Sequence, residues 1–350
     1  MRAALFILHK NLGDSVILTA AINSLVGEWV VDVCCFDDSY EVFKNHPRVK
    51  SIIVAQRHDR GLSRIFSKAR QFLFLLGRRY DIVASFSGDI RGLILGRLVR
   101  CNVRLNGPFS RHKKLAVRLG YFHPRVATYH RHISDTNIDL LRSQESIIVN
   151  PRARYSLMST PDDQEKVREF LSKLTIASGH FILVHAASRW SFKSLPVDSW
   201  VQLIGLIQER LSLPVILSGG PGDWKINRAI ASGCNHSVSF PTDFSITSSC
   251  ELVRAARALI CVDSAMLHIS EVTDTPTLAI FGPTGELNWG PRKRDSLVVN
   301  SNTFPCRPCG LDGCGGSKVS DCLVSLDPLS VFGGLKQLLG LESKHEQDFQ

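Results

Sequence analysis

The sequence lacks an apolar run long enough for a membrane-spanning helix. Its apolar stretches are short pieces such as residues 72–76, whereas a spanning helix needs about 18 or more apolar residues. Near the amino terminus, Lys10, Asn11 and Asp14 end the apolar run 3–8 too early for a secretory signal peptide. We therefore expect a cytoplasmic protein, and a peripheral position on the inner face of the cytoplasmic membrane stays open.

The sequence also lacks G-x-G-x-x-G after its first apolar run, which disfavours a nicotinamide or flavin site. We accordingly predict no cofactor. Without a secretion signal, the ten cysteines are expected to be mostly reduced. Six of them stand in apolar settings and are predicted to fill the core: Cys34, Cys35, Cys101, Cys234, Cys250 and Cys261.

Acidic residues are scarce in the first half of the chain. Residues 1–150 hold 23 Lys and Arg against 12 Asp and Glu, a balance of +11, and residues 151–350 hold 19 against 20, a balance of −1. A positive field of this kind attracts an anionic partner. A merely solubilising surface is the alternative interpretation.

Short runs rich in β-branched residues alternate with helical patterns, which is typical of parallel sheets built from βαβ units. We predict an α/β fold with two Rossmann-like, doubly wound domains that face each other across a cleft. The predicted divisions are a first Rossmann-like domain at 1–155, a linker and helix at 156–178, a second Rossmann-like domain at 179–340 and a polar tail at 341–350. Eight strands are predicted: 3–8, 30–36, 51–54, 81–85, 181–185, 215–218, 259–263 and 277–281.

The loop after the first predicted strand contains Gly13 and Asp14 and runs directly into a helix. Doubly wound proteins place ligand-binding groups at this position. Asp14 is either a cap of that helix or a carboxylate that acts as a general base.

Three strand ends of the second half carry polar groups. Ser188 and Lys193 follow the strand 181–185, where a lysine suits a diphosphate, although an exposed loop lysine is the simpler interpretation. Gly219 and Asp223 follow the next strand, in a sequence that also suits an ordinary turn.

The strand 259–263 ends at a carboxylate, and the helix after it would offer backbone N–H groups to an anion. The residues concerned there are Asp263, Ser264, Ala265 and His268. A capping Asp263 and a core His268 are the alternatives.

Four cysteines stand in a glycine-rich segment at a spacing that can hold a metal: Cys306, Cys309, Cys314 and Cys322. The gaps match no common zinc ribbon closely. A structural metal, reduced thiols and a redox-labile disulfide all stay open for this segment.

In their order and spacing these elements resemble the lipopolysaccharide heptosyltransferases, glycosyltransferase family nine, of the GT-B fold. The resemblance runs from residue 3 to about 338. It rests on Leu12-Gly13-Asp14, Arg189-Trp190-x-x-Lys193, Gly219-Gly220 with Asp223, Asp263-Ser264-x-x-x-His268 and Phe281-Gly282-Pro283-Thr284.

The resemblance implies an inverting, metal-independent transfer from ADP-L-glycero-D-manno-heptose to the lipopolysaccharide inner core. Asp14 would be the catalytic base. Asp263 would hold heptose hydroxyls, and Asp223 with Gly219 would lie at the nucleotide. The diphosphate would meet Lys193, Ser188, Ser264, Ala265 and His268. The basic first half suits an anionic acceptor at the membrane surface, for which we select Arg111, Lys113, Lys114, Tyr129, His130 and Arg131.

Other functions stay open at this stage. The same fold serves other nucleotide sugars and other surface-polysaccharide acceptors, and a non-catalytic sugar-nucleotide binder would carry similar motifs. Nucleic-acid binding is disfavoured because the basic run 111–114 has few aromatic residues beside it and the cysteines lie in the near-neutral half.

Overall fold

The computed structural model describes residues 1–57, 71, 73–124, 126, 128 and 130–341. Internal contacts divide the chain into two compact units, Met1–Met158 and Ser159–Gln350. The helix that the sequence analysis grouped with a linker therefore belongs to the second unit. The predicted tail residues 342–350 lie outside the described residues.

The described part of the first unit contains a five-stranded parallel sheet of order β3-β2-β1-β4-β5. Its strands are β1 (Arg2–Leu8), β2 (Trp29–Phe36), β3 (Val49–Ala55), β4 (Arg79–Ser85) and β5 (Arg100–Asn106). The helices with described bounds are α1 (Leu12–Ser24), α2 (Tyr40–Phe43), α3 (Ile90–Arg97), α4 (Lys113–Arg118) and α5 (Ile133–Arg142).

The described part of the second unit contains a parallel sheet of order β10-β9-β8-β6-β7. Its strands are β6 (Ile182–His185), β7 (Val215–Leu217), β8 (Ala258–Val262), β9 (Thr277–Phe281) and β10 (Ser296–Asn300). The helices are α6 (Pro161–Lys173), α7 (Val197–Leu211), α8 (Trp224–Gly233), α9 (Ile246–Ala255), α10 (Ala265–Ser270), α11 (Glu286–Trp289), α12 (Asp321–Val324) and α13 (Pro328–Leu338).

Helices cover the sheets with apolar faces. In the second unit, Trp200 of α7 and Phe332 of α13 pack in one core with strand residues such as Ile260. In the first unit, Leu5 and Ile7 of β1 lie in a core with Leu95 of α3. Burial on both faces explains why the central strands are near-continuous apolar runs.

All eight predicted strands are present within a residue or two at each end. The sequence analysis missed β5 and β10, each of which lies at one edge of its sheet. Four of the six cysteines predicted to fill the core are buried, and Cys101 and Cys234 are partly buried.

Candidate functional site

Each sheet has one point where the strand order reverses. In the first sheet it lies between β1 and β4, and in the second between β6 and β8. Chains leaving two such strands diverge, and the crevice at the carboxyl ends of the strands is where open α/β sheets bind ligands. The residues after these four strands are therefore the candidate site residues of each unit.

Asp14 lies in the first turn of α1, directly after β1. Its Oδ2 accepts a hydrogen bond from the backbone N–H of Asn11 at 3.3 Å, so the carboxylate stabilises the start of the helix. Its Oδ1 lies 3.6 Å from Nζ of Lys10. The structure thus shows Asp14 in a capping role. The same carboxylate remains partly exposed at the carboxyl edge of the sheet.

A second carboxylate follows β4, on the other side of this reversal point. Asp89 Oδ1 accepts from Ser87 Oγ at 2.7 Å and lies 3.4 Å from Nδ1 of the buried His9 ring. Burial raises the pKa of Asp89, but hydrogen bonds from His9, Ser87 and the backbone of Gly92 outweigh it and hold the pKa at about 2. The edge therefore carries a second acid that stays ionised at neutral pH, which the sequence analysis did not select.

In the second unit, Asp263 is the centre of the site. It is 6% exposed and comes directly after β8. Its Oδ2 accepts hydrogen bonds from Nζ of Lys193 at 2.7 Å and from Oγ1 of Thr284 at 2.6 Å. Ser188 Oγ donates to its backbone oxygen at 3.3 Å. The structure thus joins three strand-end loops of one sheet at a single carboxylate.

The start of α10 lies beside this carboxylate in sequence. Ser264 precedes the helix, and its hydroxyl is buried without a hydrogen-bond partner among the described residues. Ala265 is the first helical residue, and His268 is buried with its ring centre 6.4 Å from that of Trp289. A buried hydroxyl without a partner is unusual, and it fits a site built to meet a ligand oxygen.

Asp223 stabilises the turn after β7, where its Oδ2 accepts from the backbone N–H of Gly220 at 2.9 Å. Gly219 is required there because a Cβ would lie 2.7 Å from Cβ of Asp223. His185, the last residue of β6, is fully enclosed, with Nδ1 3.0 Å from Oγ of Ser218. Burial lowers the pKa of His185, although the Asp223 carboxylate acts in the opposite direction.

His185 and Thr284 were missed by the sequence analysis as site residues. His185 looks like part of an apolar strand, and Thr284 was named only within the motif 281–284, without a role of its own. The common signal is position, because both stand at or just beyond the carboxyl end of a parallel strand.

The four cysteines of the glycine-rich segment are free thiols, of which Cys306, Cys309 and Cys314 are exposed and Cys322 is buried. Burial raises the pKa of Cys322, and the three other thiols add to the increase. Among the described residues, no group of three or more His, Cys, Asp or Glu side chains is arranged to hold a metal ion.

The predicted acceptor-side residues belong to two stretches of the first unit, one at the start of α4 and one just before α5. Lys113 and Lys114 begin α4 and are exposed, as is Arg111 just before it. Arg131 is bound by Asp139, with Nη2 2.7 Å from Oδ2, and His130 has a positive φ of 50°. Tyr129 lies outside the described residues.

No helix within the described residues combines the length and the apolar character that a bilayer span requires.

The sequence of this chain is similar to known glycosyltransferases. Residues 74–318, more than half of the chain, match the model of glycosyltransferase family 9 (heptosyltransferase). Over 293 residues the chain is 23% identical to lipopolysaccharide heptosyltransferase 3 of Escherichia coli strain K12, covering 80% of this chain and 82% of the relative.

Solved structures have the same fold. A glycosyl transferase family 9 protein from Veillonella parvula superposes with a TM-score of 0.82 at 15% identity, covering 97% of this chain and 98% of its own. Escherichia coli heptosyltransferase WaaC with ADP gives 0.72 at 18% identity, covering 96% and 99%. The predicted two-domain α/β fold of the GT-B type is confirmed. The chain belongs to glycosyltransferase family 9, the heptosyltransferase family, and is a glycosyltransferase.

Proposed function

We propose that this glycosyltransferase moves heptose from ADP-L-glycero-D-manno-heptose onto the inner core of lipopolysaccharide, with inversion and without a metal. The observation that carries the proposal is the Asp263 carboxylate, which is shared by Lys193 and Thr284 beside the hydroxyl of Ser264. An anionic diphosphate needs a cation and hydroxyl donors, and a sugar needs a carboxylate acceptor. The loops after three neighbouring strands of one sheet, β6, β8 and β9, bring all of these groups together.

For the donor, we assign Asp263 to the heptose hydroxyls and Lys193 to the diphosphate. Lys193 Nζ already lies against Asp263, so the two groups bind adjacent parts of one molecule. Ser188, Ser264, Ala265 and His268 join Lys193 at the diphosphate, and Gly219 with Asp223 lies at the nucleotide. Cationic and hydroxyl groups there stabilise the charge that grows on the leaving ADP.

For the acceptor, we assign Asp14 as the base. Its carboxylate takes the proton from the attacking hydroxyl as that oxygen approaches the anomeric carbon on the face opposite ADP. Arg111, Lys113, Lys114, Tyr129, His130 and Arg131 remain our predicted contacts to the anionic acceptor. We further propose a cytoplasmic enzyme that is peripheral on the inner face of the membrane, where a lipid-anchored acceptor lies.

A second candidate keeps the chemistry and changes the sugar. A carboxylate for sugar hydroxyls and a cation for a diphosphate suit other nucleotide sugars as well, so a different nucleotide sugar or surface-polysaccharide acceptor is the alternative. Melting temperature measured with ADP-heptose, UDP-hexose and GDP-hexose separates the two, because a ligand that binds only the folded protein raises it. A rise with a hexose nucleotide alone would contradict the heptose donor.

The role of Asp14 is tested by Asp14→Asn, which keeps an oxygen for the helix cap and removes the base. We expect transfer to fall about a hundredfold to ten-thousandfold while donor binding survives. Transfer is followed by mass spectrometry of a core acceptor, with a chelator present in a parallel reaction that should run equally fast.

Asp198→Asn is the matched control, because Asp198 is also an acid in the first turn of a helix. It should leave transfer unchanged. If Asp14→Asn retained the wild-type rate, Asp14 would lose its assigned role.

A further inference from the structure

Two neighbouring helices of the first unit expose an apolar stripe. Ile90, Ile94 and Leu98 follow one another at intervals of four along α3 and its C-cap, with exposed fractions of 44%, 50% and 53%. Val117 of α4 is 61% exposed. Residues four apart lie on one side of a helix, so Ile90, Ile94 and Leu98 share a face of α3. We call this face, together with Val117 and the cations described next, the α3–α4 surface.

Cations surround the stripe and acids are missing from this part of the chain. Residues 90–134 contain ten Lys and Arg and no Asp or Glu. Arg91 Nε lies 3.8 Å from Asp89 Oδ2. The exposed cations on these two helices are Arg91, Arg97, Lys113, Lys114 and Arg118.

The opposite side of the two helices is already packed. Leu93, Ala116 and Tyr121 form a buried cluster between them. The Tyr121 hydroxyl donates to the backbone oxygen of Leu93 at 2.9 Å. Gly96 allows this approach, since a Cβ there would lie 2.2 Å from that hydroxyl. The exposed stripe therefore lies on the outer side of two helices that a buried cluster holds in place.

The stripe begins at the functional edge of the sheet. α3 starts just after β4, at the carboxyl edge that also carries Asp14. Lys10 connects the two features, because its Nζ lies 3.6 Å from Asp14 and 5.9 Å from the ring centre of Phe109. Phe109 is itself 45% exposed. An apolar partner held on this surface would therefore lie beside the proposed base.

We propose that the α3–α4 surface binds the surface of an anionic phospholipid bilayer. The aliphatic side chains enter the boundary between headgroups and acyl chains, while arginine and lysine heads contact lipid phosphates. A second copy of the chain is disfavoured as the occupant because two such faces would bring like charges together. Nucleic acid is disfavoured because the stripe is aliphatic and offers no stacking faces.

This inference rests on the proposed function, because a lipid-anchored acceptor lies in the membrane that the α3–α4 surface would bind. The test is arranged so that the two can fail separately. Vesicle binding is measured on the full chain without donor or acceptor, and transfer is measured apart from it on a water-soluble core fragment.

The experiment is sedimentation with phosphatidylethanolamine vesicles that do or do not contain phosphatidylglycerol. Two double variants change the surface, I94S/V117S and R97Q/R118Q. The control is L329S/K173Q, which removes an exposed leucine and an exposed lysine from the second unit. Unchanged melting temperatures show that each variant is folded.

We expect wild type and control to bind the phosphatidylglycerol vesicles in a salt-sensitive way. R97Q/R118Q should bind about thirtyfold more weakly, since each cation near an anionic surface contributes roughly fivefold. I94S/V117S should lose about tenfold or more. Wild-type binding in both surface variants would overturn the proposal, as would an absence of vesicle binding.

A concentration-dependent dimer that I94S/V117S abolishes, without vesicle binding, would also overturn it and identify a second copy as the occupant. Loss of transfer on the water-soluble fragment would instead count against the proposed function. It would leave the vesicle result standing.

Discussion

At the scale of single residues, the candidate donor site depends on how one carboxylate is shared. Asp263 accepts from an ammonium and a hydroxyl on the same oxygen, Oδ2. Two donors on one oxygen fix the orientation of the carboxylate and leave Oδ1 for another partner. Thr284 is therefore a positioning residue in our proposal, since it acts on the sugar through Asp263.

Replacing Thr284 with valine keeps the shape of the side chain and removes the hydroxyl. Because a hydrogen bond to a charged group contributes about 1.5–3 kcal/mol, we expect donor affinity to fall about tenfold or more. Steady-state kinetics should show a higher KM for the donor with a smaller change in kcat. Thr303→Val, in an exposed loop, is the control, and a Thr284→Val enzyme with wild-type KM would contradict the role.

His46 makes the first unit sensitive to acid. It is 3% exposed, and its Nδ1 accepts from the backbone N–H of Arg48 at 3.2 Å. Burial, with a smaller contribution from the positive charge of Arg48, lowers its pKa from 6.5 to about 4. The unfolded chain therefore takes up a proton at a pH where the folded chain does not.

The pH dependence follows from that difference. Stability should be complete above about pH 6.5 and decline as the pH falls toward about 4, by about 2 kcal/mol at about pH 5. Urea unfolding at about pH 7.5 and 5 measures it, and His46→Asn should remove most of the decline. His180→Asn replaces an exposed histidine and should leave it in place. A His46→Asn protein with the full decline would show that other groups cause it.

At the scale of elements, one buried carboxylate joins the starts of two helices. Asp163 Oδ2 accepts from the backbone N–H of Thr160 at 2.9 Å, at the start of α6. Its Oδ1 accepts from Ser248 at 2.6 Å and Thr247 at 3.0 Å, at the start of α9. Burial raises its pKa, but these hydrogen bonds outweigh that effect and hold the pKa well below the usual range.

Asp163→Asn should therefore destabilise the second unit, because an amide nitrogen cannot accept the hydrogen bonds that one carboxylate oxygen accepts. We expect a loss of about 2–3 kcal/mol in urea unfolding. Asp162→Asn changes the neighbouring, exposed acid and should be indistinguishable from wild type. Equal stability of the two variants would show that the helix starts are held by other groups.

The strands show what local sequence can predict about elements. β1 and β8 are apolar along most of their length because they are buried on both faces, and the sequence identified them. β5 (RCNVRLN) lies at an edge and alternates with polar residues, so it resembles a loop. β10 (SLVVN) is partly exposed throughout, and its apolar run of three residues is too short to indicate a strand. Position in the sheet, which a local pattern does not contain, decided both cases.

At the scale of the whole molecule, the sequence predicted which strands the proposed donor-binding residues follow, and the structure agrees, but the sequence left the contacts between these residues undetermined. Lys193 and Asp263 are separated by 70 positions, and their hydrogen bond depends on how the loops after β6 and β8 pack. The excess of cations in the first half is likewise visible in the sequence, but the surface that carries these cations is not. Composition predicted an anionic partner, whereas the exposed stripe on α3 became visible only with the helix in place.

The two strand orders bear on how such a gene can diversify. In the first sheet β1 has β2 and β3 on one side, whereas in the second sheet β6 has only β7 on the corresponding side. The halves are therefore not interchangeable with each other. Each half nevertheless contains its own five-stranded sheet. The division between the halves falls between Met158 and Ser159. Recombination between relatives at that junction would leave both described sheets intact, so a single crossover would exchange one whole unit for that of a relative.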